Sequence, residues 1–176
     1  MRKTIWTYGL ISGAIDMIGL IMMTINSKKD IDYDHAEIYG YTFMAVSFIP
    51  VFLGMLKYRQ QKGGGAFTYG NAFKAGILMT LIASGVYVLT WLVCFYGFIP
   101  DFAERYGQHM IDKMKTEGKP AAEIEETIRR MQSYKEMYKN PLVNIAMTFT
   151  EIFPIGLVFT LLFSLLLKRT AKTAQA

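Results

Sequence analysis

Four stretches of this chain are almost free of charge, and polar residues gather between them. Residues 5–25 are apolar except for Asp16, residues 38–56 and 75–100 carry no charge, and residues 142–167 carry only Glu151. A helix rises about 1.5 Å per residue, so each run is long enough to cross a hydrocarbon core roughly 30 Å thick. Lipid cannot satisfy bare backbone N–H and C=O groups, so runs placed there must be helical. The pattern predicts an all-α membrane four-helix bundle, a single membrane domain over residues 1–176 with the lipid bilayer as its first partner.

Between the third and fourth spans, residues 101–140 have a different period. Phe102, Tyr106, Met110 and Met114 recur every four residues, and Ile124, Ile128, Met131 and Tyr138 form a second stripe. Both segments read as amphipathic helices. Gly118 suits the end of the first and Pro120 the start of the second. Glu125 with Arg129 and Glu126 with Arg130 are favourable i,i+4 pairs. The expected insert is a helical hairpin whose apolar faces pack on each other or on the membrane surface. Asn140-Pro141 then resets the chain.

Charge orients the bundle. Arg2, Lys3, Lys57, Arg59, Lys62, Lys74, Lys168, Arg169 and Lys172 all fall on one side of the spans, and no acid joins them. The positive-inside rule makes that side cytoplasmic, which puts both termini there and the insert outside. Trp6, Tyr8, Tyr39, Tyr41, Trp91 and Tyr96 lie near span ends, as an aromatic belt would. The first span follows a basic start but lacks a small-x-small cleavage site, so it reads as retained. The net charge of +5 is distributed as in a membrane protein, and no nucleic-acid partner is expected. Cys94 is the single cysteine, so no intrachain disulfide forms.

Several motifs invite chemistry and fail. Gly63, Gly64 and Gly65 lack the Lys-Ser/Thr and the preceding strand of a phosphate loop. Asp30, Asp32 and Asp34 alternate as in a calcium loop, yet the positions requiring glycine and glutamate hold His35 and Tyr41. A looser site built on His35, Glu37 and His109 is outweighed by a solvated acidic loop. No hydrolase motif is present. The chain is therefore expected to be no enzyme, with no catalytic residues, cofactor or metal.

The spans also carry small and polar residues at helical spacing. Gly9-xxx-Gly13 with Ser12 and Asp16 marks the first, and Gly40, Ser47 and Gly54 the second. Ala72, Gly76, Thr80 and Ser84 mark the third, and Asn144, Thr148 and Glu151 the fourth. In lipid such stripes set helix contacts, either within the chain or with other membrane proteins and copies of itself. Partial likenesses between the two halves ("YGLISGAI" and "YGNAFKAGI", "FIP" and "IFP") break down in depth, because Pro50 and Pro154 sit at different distances from their basic ends.

Asp16 and Glu151 are the ionisable residues deep in the spans. A charge at the bilayer centre costs about 3 kcal/mol or more, so such residues face an interior or a cavity. Pro154 cannot donate an amide to the Thr150 carbonyl, so a kink beside Glu151 would open a polar pocket. The candidate intramembrane site is Asp16, Glu151, Ser12, Asn144, Thr148 and Pro154. The sequence favours the plainer use: protonated acids hydrogen-bonded to Ser12, Thr80, Ser84 or Asn144 as interhelical glue. The expected role is then a non-enzymatic scaffold or accessory subunit binding other membrane proteins. The alternative is a small proton- or cation-coupled transporter or channel component using Asp16 and Glu151.

Four stretches, "EIYGYTFMAVSFIPVFLGMLKYR", "GGGAFTYGNAFKAGILMTLIASGVYVLTW", "IPDFAERYGQHM" and "YKNPLVNIAMTFTEIFPIGLVFTLLFSLLLKR", resemble the bacterial membrane-protein family called domain of unknown function 4199 (DUF4199). The resemblance implies four spans in the bacterial inner membrane with a helical insert before the last. It supplies no activity and no site residues.

Overall fold

The structure, a computed structural model, describes residues 1–26, 33–62 and 67–168, with the side chains of 33–37 left aside. Seven helical segments follow one another: α1 (Arg2–Asn26), α2 (Tyr33–Ser47), α3 (Ile49–Gln61), α4 (Tyr69–Gly97), α5 (Phe102–Thr116), α6 (Ala121–Lys139) and α7 (Pro141–Leu167). Four spans are long and apolar enough to cross a membrane: α1, Ile38–Gln61, α4 and α7. All four run past the expected limits at one end or both, the fourth by a single residue. Thr68 caps α4 by accepting from the Asn71 amide at 3.3 Å, and Asn140 caps α7 by accepting from the Leu142 amide at 3.0 Å. Each cap satisfies an amide that the helix itself leaves unpaired. The third span ends at Gly97 rather than residue 100, where Phe98–Asp101 turns into α5.

The second span is interrupted. Phe48 separates α2 from α3, two residues before Pro50. Proline lacks an amide and its ring crowds the carbonyl four residues back, so the ladder breaks there. At the break, the Ser47 carbonyl accepts the Ser12 hydroxyl at 2.5 Å, tying α2 to α1.

The helices pack closely where side chains are absent. A methyl on Gly13 would sit 2.6 Å from Val86 Cβ, and one on Gly9 2.9 Å from Ile82 Cβ, so the α1 glycine pair faces α4. Gly54 receives Tyr8, Gly76 receives Met55 and Thr160, and Gly156 receives Phe48 and Thr80. The interior is unusually polar: Ser12, Ser47, Thr80, Ser84, Asn144, Thr148, Thr160 and Ser164 are all buried, while Leu89, Val93, Leu142 and Leu166 are exposed. Thr80 and Thr160 join α4 to α7 by a hydroxyl pair at 2.8 Å. A polar inside with an apolar outside suits lipid, where hydrogen bonds and close backbone approach hold helices together.

The N-terminus of α1 and the C-termini of α3 and α7 meet at one end. Thr4 Oγ1 donates to Gln61 Oε1 at 2.9 Å, and Arg59 Nη1 reaches the Leu167 carbonyl at 3.4 Å. Of the basic residues expected on a common face, Arg2, Lys3, Lys57, Arg59, Lys62, Lys74 and Lys168 thus belong to helix ends at this side, and Arg169 and Lys172 lie outside the described residues.

At the other end α5 and α6 lie antiparallel. Lys135 Nζ pairs with Glu104 at 2.8 Å, and Gly107 admits Met131, whose Cβ lies 3.2 Å from the position of an added methyl. Gly118 takes a φ of +69° just past α5, a left-handed conformation that glycine adopts without a steric penalty. Glu125 and Arg129 pair at 3.8 Å but are well exposed, whereas no ion pair joins Glu126 to Arg130 among the described residues. The stripes of the two helices do more than pack on each other. Phe102, Tyr106, Met110 and Met131 cover a cavity over the spans.

Candidate functional site: an intramembrane cavity with two carboxylates

The cavity has a volume of about 930 Å3 and is walled by α1, α2, α4 and α7, with α5 and α6 as cover. It occupies the half of the bundle remote from the basic end. Asp16 and Glu151 both line it, from different helices.

Asp16 belongs to the buried stripe of α1, one turn beyond Ser12, and is 2% exposed. Neither carboxylate oxygen has a hydrogen-bond partner. The Ser47 hydroxyl lies close enough to act on the carboxyl, but it makes no well-formed hydrogen bond there, because it donates its one proton to the Met44 carbonyl at 2.8 Å. Buried polar atoms are nearly always paired, and an exception in a cavity wall is a functional signal.

Glu151 stands beside, not on, the buried stripe of α7. That stripe runs Asn144, Thr148, Ile152, Gly156, Thr160 and Ser164. Glu151 is exposed, and it lines the cavity. The buried Tyr87 phenol on α4 is within electrostatic reach of both Glu151 and Asp16. The two acids and the Tyr87 phenol thus line one space.

The polar residues expected to bond the acids are engaged elsewhere. Ser12 donates to the Ser47 carbonyl. Asn144 Oδ1 accepts from Trp91 Nε1 at 3.0 Å and from the Thr148 hydroxyl at 3.1 Å, and the Asn144 amide approaches the Tyr96 hydroxyl at 3.4 Å. Thr80 pairs with Thr160, and the buried Ser84 hydroxyl has no partner. Hydroxyls and amides satisfied this way do not reach over to a carboxylate. The glue expected from Asp16 and Glu151 is instead supplied by Ser12, Thr80 and Asn144 among themselves and their neighbours.

Pro154 differs from expectation too. The helix α7 runs through it, and the residue is exposed and lines no part of the cavity. The Thr150 hydroxyl turns to the Met147 carbonyl at 2.8 Å. The cavity extends from Glu151 toward α5 and α6, away from Pro154. Of the six candidate residues, Asp16 and Glu151 share the cavity. Ser12, Asn144 and Thr148 brace the helices around it, and Pro154 lies apart.

Sequence reasoning missed Tyr87, Tyr134, Tyr138 and Arg130, which also line the cavity. Tyr87 sits in an uncharged run where nothing singles it out. Trp91 was assigned to the aromatic belt, but it is buried, bonded to Asn144 and set edge-on to Phe102 at 5.4 Å, so it links the spans to the cover. Tyr138 packs on Phe95 with centroids 5.4 Å apart, and its carbonyl accepts the Tyr96 hydroxyl at 2.8 Å. Burial pushes the Tyr138 phenol above the usual tyrosine range, and nearby Glu151 and Tyr134 push it the same way. It is a neutral hydroxyl at physiological pH. No group of three metal-ligating side chains occurs among the described residues. The acidic run from Asp30 to Asp32 and the side chains of Asp34, His35 and Glu37 lie outside them.

Compared with known proteins, residues 7–169 match the family described as "Protein of unknown function (DUF4199)". No curated protein matches the chain, and no solved structure does.

Proposed function

The chain belongs to the DUF4199 family of proteins of unknown function, and on that footing we propose that it is a non-enzymatic, multi-pass carrier or channel component. It would accept a ligand in the cavity between its spans, with Asp16 and Glu151 presenting negative charge to the occupant. The observation that carries this reading is Asp16: a buried carboxylate with both oxygens unpartnered, in the wall of a cavity of about 930 Å3. That volume falls within the roughly 300–1,000 Å3 of small-molecule sites. A residue kept at such cost without a structural partner is retained for what it binds. The membrane is the bacterial inner membrane, with the basic end and both termini in the cytoplasm and α5 and α6 outside, as the distribution of Lys and Arg supports.

The scaffold reading draws less support. It draws on small-residue faces available to other proteins, and Gly9, Gly13, Gly54, Gly76 and Gly156 are engaged inside the chain, while Gly40 of the second span meets nothing within 4 Å. An apolar carbodiimide, which modifies protonated carboxyls reached from an apolar phase, distinguishes the two. In native membranes Glu151 labels, and proton flux through reconstituted protein falls in Glu151→Gln while the fold is retained. An inert Glu151, together with a stoichiometric membrane-protein partner on purification in mild detergent, would instead establish the scaffold.

A further inference from the structure

We propose that the cavity between the spans is a site for a lipophilic organic cation, an apolar or aromatic body bearing one positive charge, held between Asp16 and Glu151. The proposal rests on the cavity reading above and names the chemical class of its occupant.

Charge selects the sign. Among the described residues, two carboxylates line the cavity against one basic side chain, Arg130, which belongs to the cover rather than to the spans. Among the same residues no ion pair engages Asp16 or Glu151. A fatty chain filling this space would leave both acids unanswered, and an anionic occupant would be repelled by them. A cation removes both penalties at once, and the low dielectric of the span region strengthens its attraction to the carboxylates.

Size excludes a bare metal ion. A hard cation needs several oxygen ligands converging within about 2.6 Å, and among the described residues no cluster of three acid, histidine or cysteine side chains forms. The cavity is far larger than an ion. Its walls hold nine aromatic and six methionine side chains, surfaces that fit a bulky apolar body. Aromatic faces attract cations, and methionines conform to irregular shapes. Tyr87 lines the same cavity, within electrostatic reach of both acids, so its ring can meet the charged group. Trp91 is held by its bond to Asn144 and its edge contact with Phe102. A wall locked in this way loses little freedom when the ligand arrives.

The test uses two probes of equal shape and opposite charge, tetraphenylphosphonium and tetraphenylborate. Each is titrated into the purified full chain in nanodiscs, with empty nanodiscs as the baseline, and binding is read from Trp91 fluorescence in a Trp6→Phe background. Tetraphenylphosphonium is expected to bind saturably at one site per chain and tetraphenylborate not to. Asp16→Asn should weaken the cation about thirtyfold or more, as loss of one buried charge partner does, and Glu151→Gln, at an exposed side chain, by less. Phe98→Leu, on the outer surface, should leave binding unchanged, and monodisperse elution of each variant guards against misfolding. If both probes bind alike, or the acid variants bind the cation as the parent does, the cation class is overturned while the cavity reading stands. If neither probe moves Trp91 or binds saturably, both fall together.

Discussion

Replacing Asp16 with leucine should make the protein more stable. A structural acid would be missed on removal, but Asp16 takes part in no hydrogen bond and both its oxygens are buried. Leaving one polar atom buried without a partner costs about 1–3 kcal/mol. Insertion scales place an aspartate at the helix centre about 2.5–3.5 kcal/mol above neutral. The two figures describe the same penalty, so they do not add. Asp16 is 2% exposed, so leucine's extra bulk must be taken up by shifts toward the adjoining cavity, which opposes part of the gain. The expected stabilisation is about 1–3 kcal/mol for Asp16→Leu, with Asp16→Asn between it and the parent. Trp91 reports unfolding well, being buried and at the heart of the bundle, once Trp6, which is 58% exposed, is changed to phenylalanine. Reversible unfolding is followed by titrating dodecyl sulfate into mild micelles. A loss of 1 kcal/mol or more in both Asp16 variants would refute the reasoning, because it would mean that the carboxyl holds helices together after all.

Three further outcomes follow from packing and hydrogen bonding. Gly156→Ala should lose about 1–3 kcal/mol, since its methyl would lie 2.5 Å from Phe48 and Thr80 atoms, where carbons prefer about 3.5–4.0 Å. Gly85→Ala meets nothing within 4 Å and should gain about 0.5–1 kcal/mol from helix propensity in the same unfolding assay. Asn144→Ala orphans the Trp91 indole N–H, with an expected loss of about 1 kcal/mol and altered Trp91 emission. A double-mutant cycle with Trp91→Phe should return a coupling of about 0.6–1.7 kcal/mol; a coupling of zero would deny the bond. For Tyr138, whose phenol is raised by burial, the unfolded chain ionises first as pH climbs. Stability is therefore lost between the free-tyrosine value and the raised one, and a pH series of unfolding midpoints should show that loss flattened in Tyr138→Phe.

Local rules made much of this fold legible. Unbroken apolar length marks the spans, because lipid leaves helix as the one way to satisfy a lone segment's backbone. Asn140, Gly118 and Pro50 act through their own backbone geometry, so their turns and breaks can be read from residues nearby. The stripes Gly9-xxx-Gly13 and Ala72-Gly76-Thr80-Ser84 face inward as their spacing says, because helical period alone puts those positions on one side.

What depended on the tertiary structure was the choice of partner for each polar group. Ser12 and Asn144 had several acceptors and donors within plausible depth, and only helix rotation and the break at Phe48 decided that Ser47 and Trp91 would take them. Asp16 was thereby left unanswered, an outcome no spacing along α1 contains. The cavity is likewise a property of six helices at once: its floor and walls come from spans far apart in sequence, and its cover from stripes that period alone assigns to simple packing. By itself the sequence determined which segments are apolar and long enough to cross a membrane and which of their faces turn inward, but not where every one starts or bends. That two lone acids share one space with Tyr87 under α5 and α6 was decided only when the helices packed, since long-range contact depends on the relative rotation and depth of elements that no local rule sets.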